Sequence, residues 1–254
     1  TGTVEYDYAG NQTVKSRNYY NLEIDGTSTS HVKSVANDFT IDNNLTVSST
    51  SAFDALARTI TVTGASDVNG ILNIDGSGIL DANGAFDATS GTITMDGTAR
   101  LQLAGTVTSL GALDESAGTV EYDGGTQDVL ADAYYNLEID ESGVKTSQGT
   151  VTVAGTLTVG SGATYAIAAT TTTVTGNSDI NGAFTASTGE YDADGAFDAT
   201  GGSITFSGAG ELRVSGTVTS LGTLGTSAGS IEYDGGTQNV LADAYYNLEI
   251  EQSG

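Results

Sequence analysis

The sequence predicts an all-β protein, a parallel β-solenoid of short strands and Gly/Asn turns. Three observations predict it. The chain repeats itself at two length scales. Its apolar residues alternate with polar ones in short runs broken by Gly, Asn or Asp. It has no Pro and no Trp among 254 residues, which removes the loop and core anchors common in the alternative, a tandem of β-sandwich domains.

The repeats come first. "EYDGGTQDVLADAYYNLEI" at Glu121 returns almost unchanged at Glu232, and a looser version opens at Glu5. "AFDATSGTITMDG" at Ala85 returns as "AFDATGGSITFSG" at Ala196. The long period is therefore the step from Ala85 to Ala196, which Tyr135 to Tyr246 repeats and Tyr20 to Tyr135 slightly exceeds. Copy 1 covers residues 1–117, copy 2 covers 118–228, and 229–254 begin a third, as one array without linkers. A shorter echo relates "SAFDALARTITVTG" at Ser51 to "GAFDATSGTITMDG" at Gly84. Stacked coils explain such an echo as like coil on like coil; a sandwich has no reason for it.

Within the runs, "TITV", "TLTV" and "SITF" bury one side and wet the other. In "YYNLEI", period-two alternation assigns Tyr135, Leu137 and Ile139 to the core and Tyr134, Asn136 and Glu138 to the surface. Tyr19, Tyr134 and Tyr245 are then exposed candidates for lateral contact between filaments. At about 20 residues per coil the chain makes about a dozen rungs spaced ~4.8 Å apart.

The net charge of −25 is the wrong sign for nucleic acid or an anionic membrane, and the seven bases are scattered singly. No apolar run reaches the length of a membrane span. Without Cys there is no disulfide, thiolate metal site or thiol catalysis. His31 is the only imidazole, and no nucleophile elbow accompanies it. Neither a catalytic, a cofactor-binding nor a metal-ligating set is assigned, and no enzyme activity is expected. Asp75, Asp81 and Asp87 recur at an even spacing and leave calcium at acidic corners open, although no known calcium-loop motif is present. Thr-Φ-Thr triplets (59–61, 92–94, 106–108, 156–158 and 217–219) turn two threonines outward around one inward residue, without a fixed short period. Asn11 and Asn44 fit the N-glycosylation acceptor pattern.

The run "GTVEYDGGTQ…YYNLEID" continuing to "GTVTVAGTLTVGSGA", from Gly118 to Gly162, resembles the β-strand-repeat segments of large bacterial surface and secreted proteins, which are filamentous-adhesin-like. That resemblance implies a β-solenoid stalk, an extracellular or cell-surface location and no catalytic residues. Copy 1 departs from it where "YAGNQTVKSRN" replaces "GGTQDVLADA" and "HVKSVANDF" stands for "KTSQGTV". The function expected is a structural shaft segment of a filament, sheath or stalk, its partner being itself, through continuing coils and lateral association. The alternative is an adhesin stalk or module recognising a glycan or surface. The Thr at position 1 and the interruption of copy 3 at Gly254 read as a segment cut from a longer array or as a subunit junction.

Overall fold

The computed structural model describes residues 2–251, and every regular element among them is a β-strand; there is no helix. All strand pairs are parallel, and each strand pairs with the strand about one coil further along the chain. The fold is therefore a β-solenoid, with about twelve turns counted over its two compact units, residues 1–121 and 122–254.

In the first unit three sheets run side by side along the coils. One is built of Thr3–Tyr6, Asn21–Ile24, Leu45–Val47, Ser66–Val68, Phe86–Asp87 and Val107–Ser109. The second contains Gln12–Val14, Val32–Val35, Ala52–Asp54, Ile71–Ile74, Thr92–Met95 and Ala112–Leu113. The third stacks Phe39–Ile41, Thr59–Val62, Ile79–Ala82, Arg100–Leu103 and Thr119–Tyr122, the last being the strand in which the division between units falls.

The second unit repeats this plan. Its first sheet stacks Asn136–Ile139, Leu157–Val159, Ser178–Ile180, Phe197–Asp198 and Val218–Ser220. Its second stacks Gln127–Val129, Gly143–Ser147, Ala163–Ile167, Ala183–Ala186, Ser203–Phe206 and Thr223–Leu224. The third runs from Ala133–Tyr134 through Val151–Val153, Thr171–Val174, Glu190–Ala193, Glu211–Val214 and Ser230–Tyr233 to Leu248–Ile250.

Parallel stacking puts like on like. Phe53 lies against Leu72, and Leu72 against Ile93; Val153, Val174, Ala193, Val214 and Tyr233 form one continuous inward column. All of these side chains are fully or almost fully buried. An aromatic cluster fills the middle of the second unit, with ring centroids 6.4 Å apart for Tyr165–Phe184, 5.0 Å for Phe184–Tyr191 and 6.2 Å for Tyr191–Phe197. Burial of such rings is the main stabilising term here.

Coil length varies with the corners. Thr3 faces Asn21, a short step along the chain, while Leu22 faces Leu45, a longer one. In the second unit Ile231 faces Leu248 across a short coil, and Leu157 faces Ser178 across a longer one. These steps do not divide the sequence repeats evenly. Leu137 and Leu248 hold the same place in the repeated passage, yet they lie on different sheets of the second unit. The shorter echo behaves the same way. Phe53 is on the second sheet of the first unit and Phe86 on its first. The expectation that echoed segments stack on one another is thus corrected: the echo spans five strands, and a coil has three. The packing unit is the coil, and each longer repeat presents its residues on a new face.

Some corners demand glycine because coils approach closely there. Gly155, Gly176, Gly195 and Gly216 form one column, and a Cβ on Gly195 would collide with the carbonyl oxygen of Gly176. We expect Gly195→Ala to destabilise the fold by about 1–3 kcal/mol through overpacking. Gly125→Ala, where an added Cβ meets nothing, should stay within about 0.5 kcal/mol. Chemical denaturation of both variants measures the difference.

Candidate functional site

The passage written three times folds into one short coil, closed by two tyrosines. In copy 2, Tyr122 and Tyr134 meet hydroxyl to hydroxyl at 3.2 Å. The Tyr134 hydroxyl donates to the carbonyl of Leu130 (2.9 Å), and the Leu130 N–H donates to the Tyr122 hydroxyl (3.2 Å). Copy 3 repeats the arrangement with Tyr233, Tyr245 and Leu241: 3.2 Å between hydroxyls, 2.7 Å to the carbonyl and 3.3 Å from the N–H. Copy 1 repeats it with Tyr6, Tyr19 and Lys15, even though its sequence there is the divergent "YAGNQTVKSRN". Each pair satisfies both backbone groups of one corner residue, which a polar group inside a core requires.

This arrangement corrects the tyrosine assignment. Leu137 and Ile139 are buried as alternation predicts, but Tyr135 is 39% exposed and Tyr134 only 1%. The reason is a corner. Tyr134 ends one strand and the next starts at Asn136, so alternation does not run through Tyr135. Tyr19 is equally buried and Tyr245 half-buried, so none of the three is an exposed lateral contact. The exposed tyrosines of the passage are Tyr20, Tyr135 and Tyr246 at equivalent places, and Tyr8 in copy 1.

Two lysines that look like scattered surface bases are inside. Lys33 and Lys145 have no exposed surface. The Lys33 ammonium donates to the carbonyls of Tyr8 (2.8 Å) and Gly10 (2.7 Å). The Lys145 ammonium donates to the carbonyls of Asp140 and Glu141. Each occupies the coil after the repeated passage and faces a Gln of the coil before, Gln12 for Lys33 and Gln127 for Lys145. The divergent "HVKSVANDF" therefore keeps the inward lysine of "GVKTS". Burial pushes both ammonium groups below the usual lysine range. The signal in the sequence is the alternation itself, which sets Lys33 in phase with Val35.

The acidic surface is organised as rungs and turns. Glu121 takes the Arg100 guanidinium at 2.6 Å and the Gln102 amide at 2.9 Å. Arg213 lies 3.3 Å from Glu190, 3.1 Å from Glu232 and 3.0 Å from Asp234, on coils before and after its own. Partly buried ion pairs of this kind add little net stability, although removing one partner leaves the other charge uncompensated. Glu232 also belongs to a carboxylate group with Glu211 and Glu249, whose oxygens lie within 4.8 Å of one another. Burial raises the carboxyl of Glu232 above its usual range, while Arg213 pulls against that.

The residues singled out from the sequence are not brought together. Asp81 accepts from the Asn83 amide (2.8 Å), and Asp87 accepts from the N–H and hydroxyl of Thr89 (2.9 and 2.6 Å). These are local turn bonds. Asp75 sits at a corner shared with Asp54 and Asp96; burial first, and Asp96 second, hold its carboxyl above the usual range. Asp75, Asp81 and Asp87 do not form a metal-capable group among the described residues. His31 is half-buried, and its Nδ1 has no hydrogen-bond partner. Asn11 and Asn44 are exposed, and their side-chain oxygens accept from the N–H groups of Val32 and Ala65. The central residues of the Thr-Φ-Thr triplets point inward, fully for Ile60, Ile93 and Leu157 and half for Val218. In the first unit, however, the triplets around Ile60, Ile93 and Val107 fall on three different sheets.

A different set of threonines does share a face. On the second sheet of the second unit, the outward positions form two columns: Val144, Thr164, Ala183, Ser203 and Thr223, and Thr146, Ala166, Thr185 and Thr205. Sequence inspection missed it because its members recur one coil apart, as Thr185 and Thr205 do, rather than in adjacent triplets.

Searched against protein-family models, curated proteins and solved structures, the chain matched none of them.

The tyrosine pairs set two measurable outcomes. Tyr134→Phe removes the donor to Leu130 and should destabilise by about 1–3 kcal/mol, whereas Tyr135→Phe on the exposed corner should change stability by less than about 0.5 kcal/mol. Thermal or denaturant unfolding distinguishes them. Burial pushes the Tyr122 hydroxyl up to about 12 and raises those of Tyr19, Tyr134, Tyr165, Tyr191 and Tyr245 as well. In the unfolded chain these groups ionise near 10.0, so above that pH the unfolded state gains and stability falls. The buried lysines work the other way only up to their unfolded value of 10.5. Unfolding free energy should therefore decline from pH 10.5 to 12, with the tyrosinate absorbance rising at the unfolding transition rather than before it.

Proposed function

We propose that this chain is a structural shaft segment of an extracellular filament, sheath or surface stalk, lengthened by adding coils edge to edge. One observation carries the reading: the inward columns pass from coil to coil without a break, as from Val153 through Val174, Ala193 and Val214 to Tyr233. Leu248 and Ile250 are 40% and 66% exposed, whereas Leu137 and Ile139, in the same place of the same passage, are fully buried. The difference is one strand. Leu157–Val159 pairs with Asn136–Ile139, setting Leu157 against Leu137 and Val159 against Ile139. Leu248–Ile250 pairs on one edge, with Ser230–Tyr233, and its other edge is unpaired among the described residues.

Within the chain, pairing with Leu157–Val159 covers both apolar side chains of Leu137 and Ile139 completely. Covering each of those side chains is worth about 1.5–3 kcal/mol. The strand that suits "NLEI" is already defined within the chain, since it is roofed by "GTLTV" in copy 2. Mechanical continuity then comes from backbone hydrogen bonds between coils and from the interior columns, with no domain gap needed. The acidic surface agrees with a hydrated shaft.

Extending the chain beyond Gly254 with a copy of residues 144–159 tests this. The amides of Leu248–Ile250 should slow in hydrogen exchange from edge-like rates toward those of Leu137–Ile139. An extension with Val151, Val153, Leu157 and Val159 replaced by Ser should leave them fast. Equal, fast exchange in both extended chains would remove the proposal.

A further inference from the structure

We propose that the uncharged face of the second unit, the sheet from Gly143–Ser147 to Thr223–Leu224, is the surface on which a second copy of this chain docks side by side. The proposal rests on the shaft reading above, and it replaces the buried tyrosines as the lateral contact.

The first observation is where charge is missing. The chain carries 39 charged residues (32 acidic and 7 basic). In the second unit the third sheet turns Glu190, Asp192, Glu211, Arg213, Glu232 and Glu249 outward. The first sheet turns out Glu138, Asp179 and Asp198. On the second sheet, Asp128 lies on the opening strand, and the next five strands turn out only Thr, Ser, Ala and Val. The positions that follow these strands, Gln148, Ala168, Ser187 and Ser207, are uncharged too.

The second observation is regularity. The five strands keep one unbroken register, with Thr185 directly against Thr205. The neighbouring first sheet breaks register between Phe197 and Asp198. Short side chains on an unbroken sheet make a surface that a second sheet can approach to the usual ~10 Å packing distance.

Charge selects the occupant. Two chains of −25 repel each other, and contact through either acidic sheet sets carboxylates against carboxylates. The uncharged face is the one approach in this unit that avoids that cost. It offers no base to an anionic partner and no aromatic ring for sugar stacking. Its inner strands are paired on both edges, which leaves no place for an added peptide strand. Five rungs of two to five residues cover roughly 300 Å² per copy, well under half the ~800 Å² per partner of a stable interface. Single segments should therefore associate weakly, and successive segments of a shaft should add up through avidity.

The absence of cysteine makes the test direct. Thr185→Cys puts a thiol at the centre of the face. Thr158→Cys puts one outward on the acidic first sheet, between Glu138 and Asp179. Under mild oxidation at high protein concentration and ~1 M salt, where charges are screened within ~3 Å, Thr185→Cys should form disulfide-linked dimers about tenfold faster. Adding Thr146→Asp and Thr205→Asp should bring its rate down to that of Thr158→Cys while the melting temperature is unchanged. Equal rates for the two single-cysteine chains would overturn the proposal, because neither face would then be preferred in association. Thermal hysteresis of ice growth that Thr146→Asp and Thr205→Asp abolish, without any cross-linking preference, would also overturn it and give the face to a water lattice. The extension experiment reads the amides of Leu248–Ile250, so shaft growth and lateral docking can fail separately.

Discussion

Each coil of this protein is held by backbone hydrogen bonds to the coils on either side of it. A strand this short has almost no stability alone, and parallel pairing gives it two neighbours only when the chain comes round again at the same register. Other features follow from that requirement. Corners are shortened or lengthened so that strands still meet, whether the chain returns early, as from Ile231 to Leu248, or late, as from Leu22 to Leu45. Glycines stand where one corner lies directly over another, as at Gly176 and Gly195. Arg213 reaches Glu190 and Glu232 because register brings their strands together.

The repeated passage serves the same constraint. Its coil is among the shortest, and a short coil must turn its corner sharply, leaving the N–H and carbonyl of one residue turned inward. The two tyrosines satisfy both groups at once, at Lys15, Leu130 and Leu241 alike. This accounts for the passage persisting three times, and for the tyrosines persisting where the residues between them have changed. The inward Lys33 and Lys145 do similar work for the carbonyls of other corners, Tyr8 and Gly10 for the first and Asp140 and Glu141 for the second. What looks like a motif with a chemical task is a device for closing a small turn.

Because a coil has three strands and the repeats do not contain whole coils, a long repeat cannot place equivalent residues on one face. Tyr135 and Tyr246 precede strands on different sheets for this reason. A surface used for association must be assembled at the coil spacing instead, and the uncharged face of the second unit is assembled that way. In the second unit the acids are confined to the other faces, and after Asp128 this sheet turns out no charge.

The all-β class, the short alternating strands, the approximate coil length and the burial of Leu137 and Ile139 were legible in the sequence, because they depend on composition and on period-two alternation within a strand. The sequence also excluded disulfides and thiol chemistry outright, since it has no cysteine. What tertiary structure alone decided was where strands end and which strand lies on which. Alternation loses its phase at a corner, so Tyr134 went inside and Tyr135 outside against the simple reading. Stacking is set by coil length, so neither the shorter echo nor the long repeat falls on itself, and threonines with no visible period come to share a face. Local chemistry determines which side of a strand is buried; the closure of the coil determines which residues become neighbours.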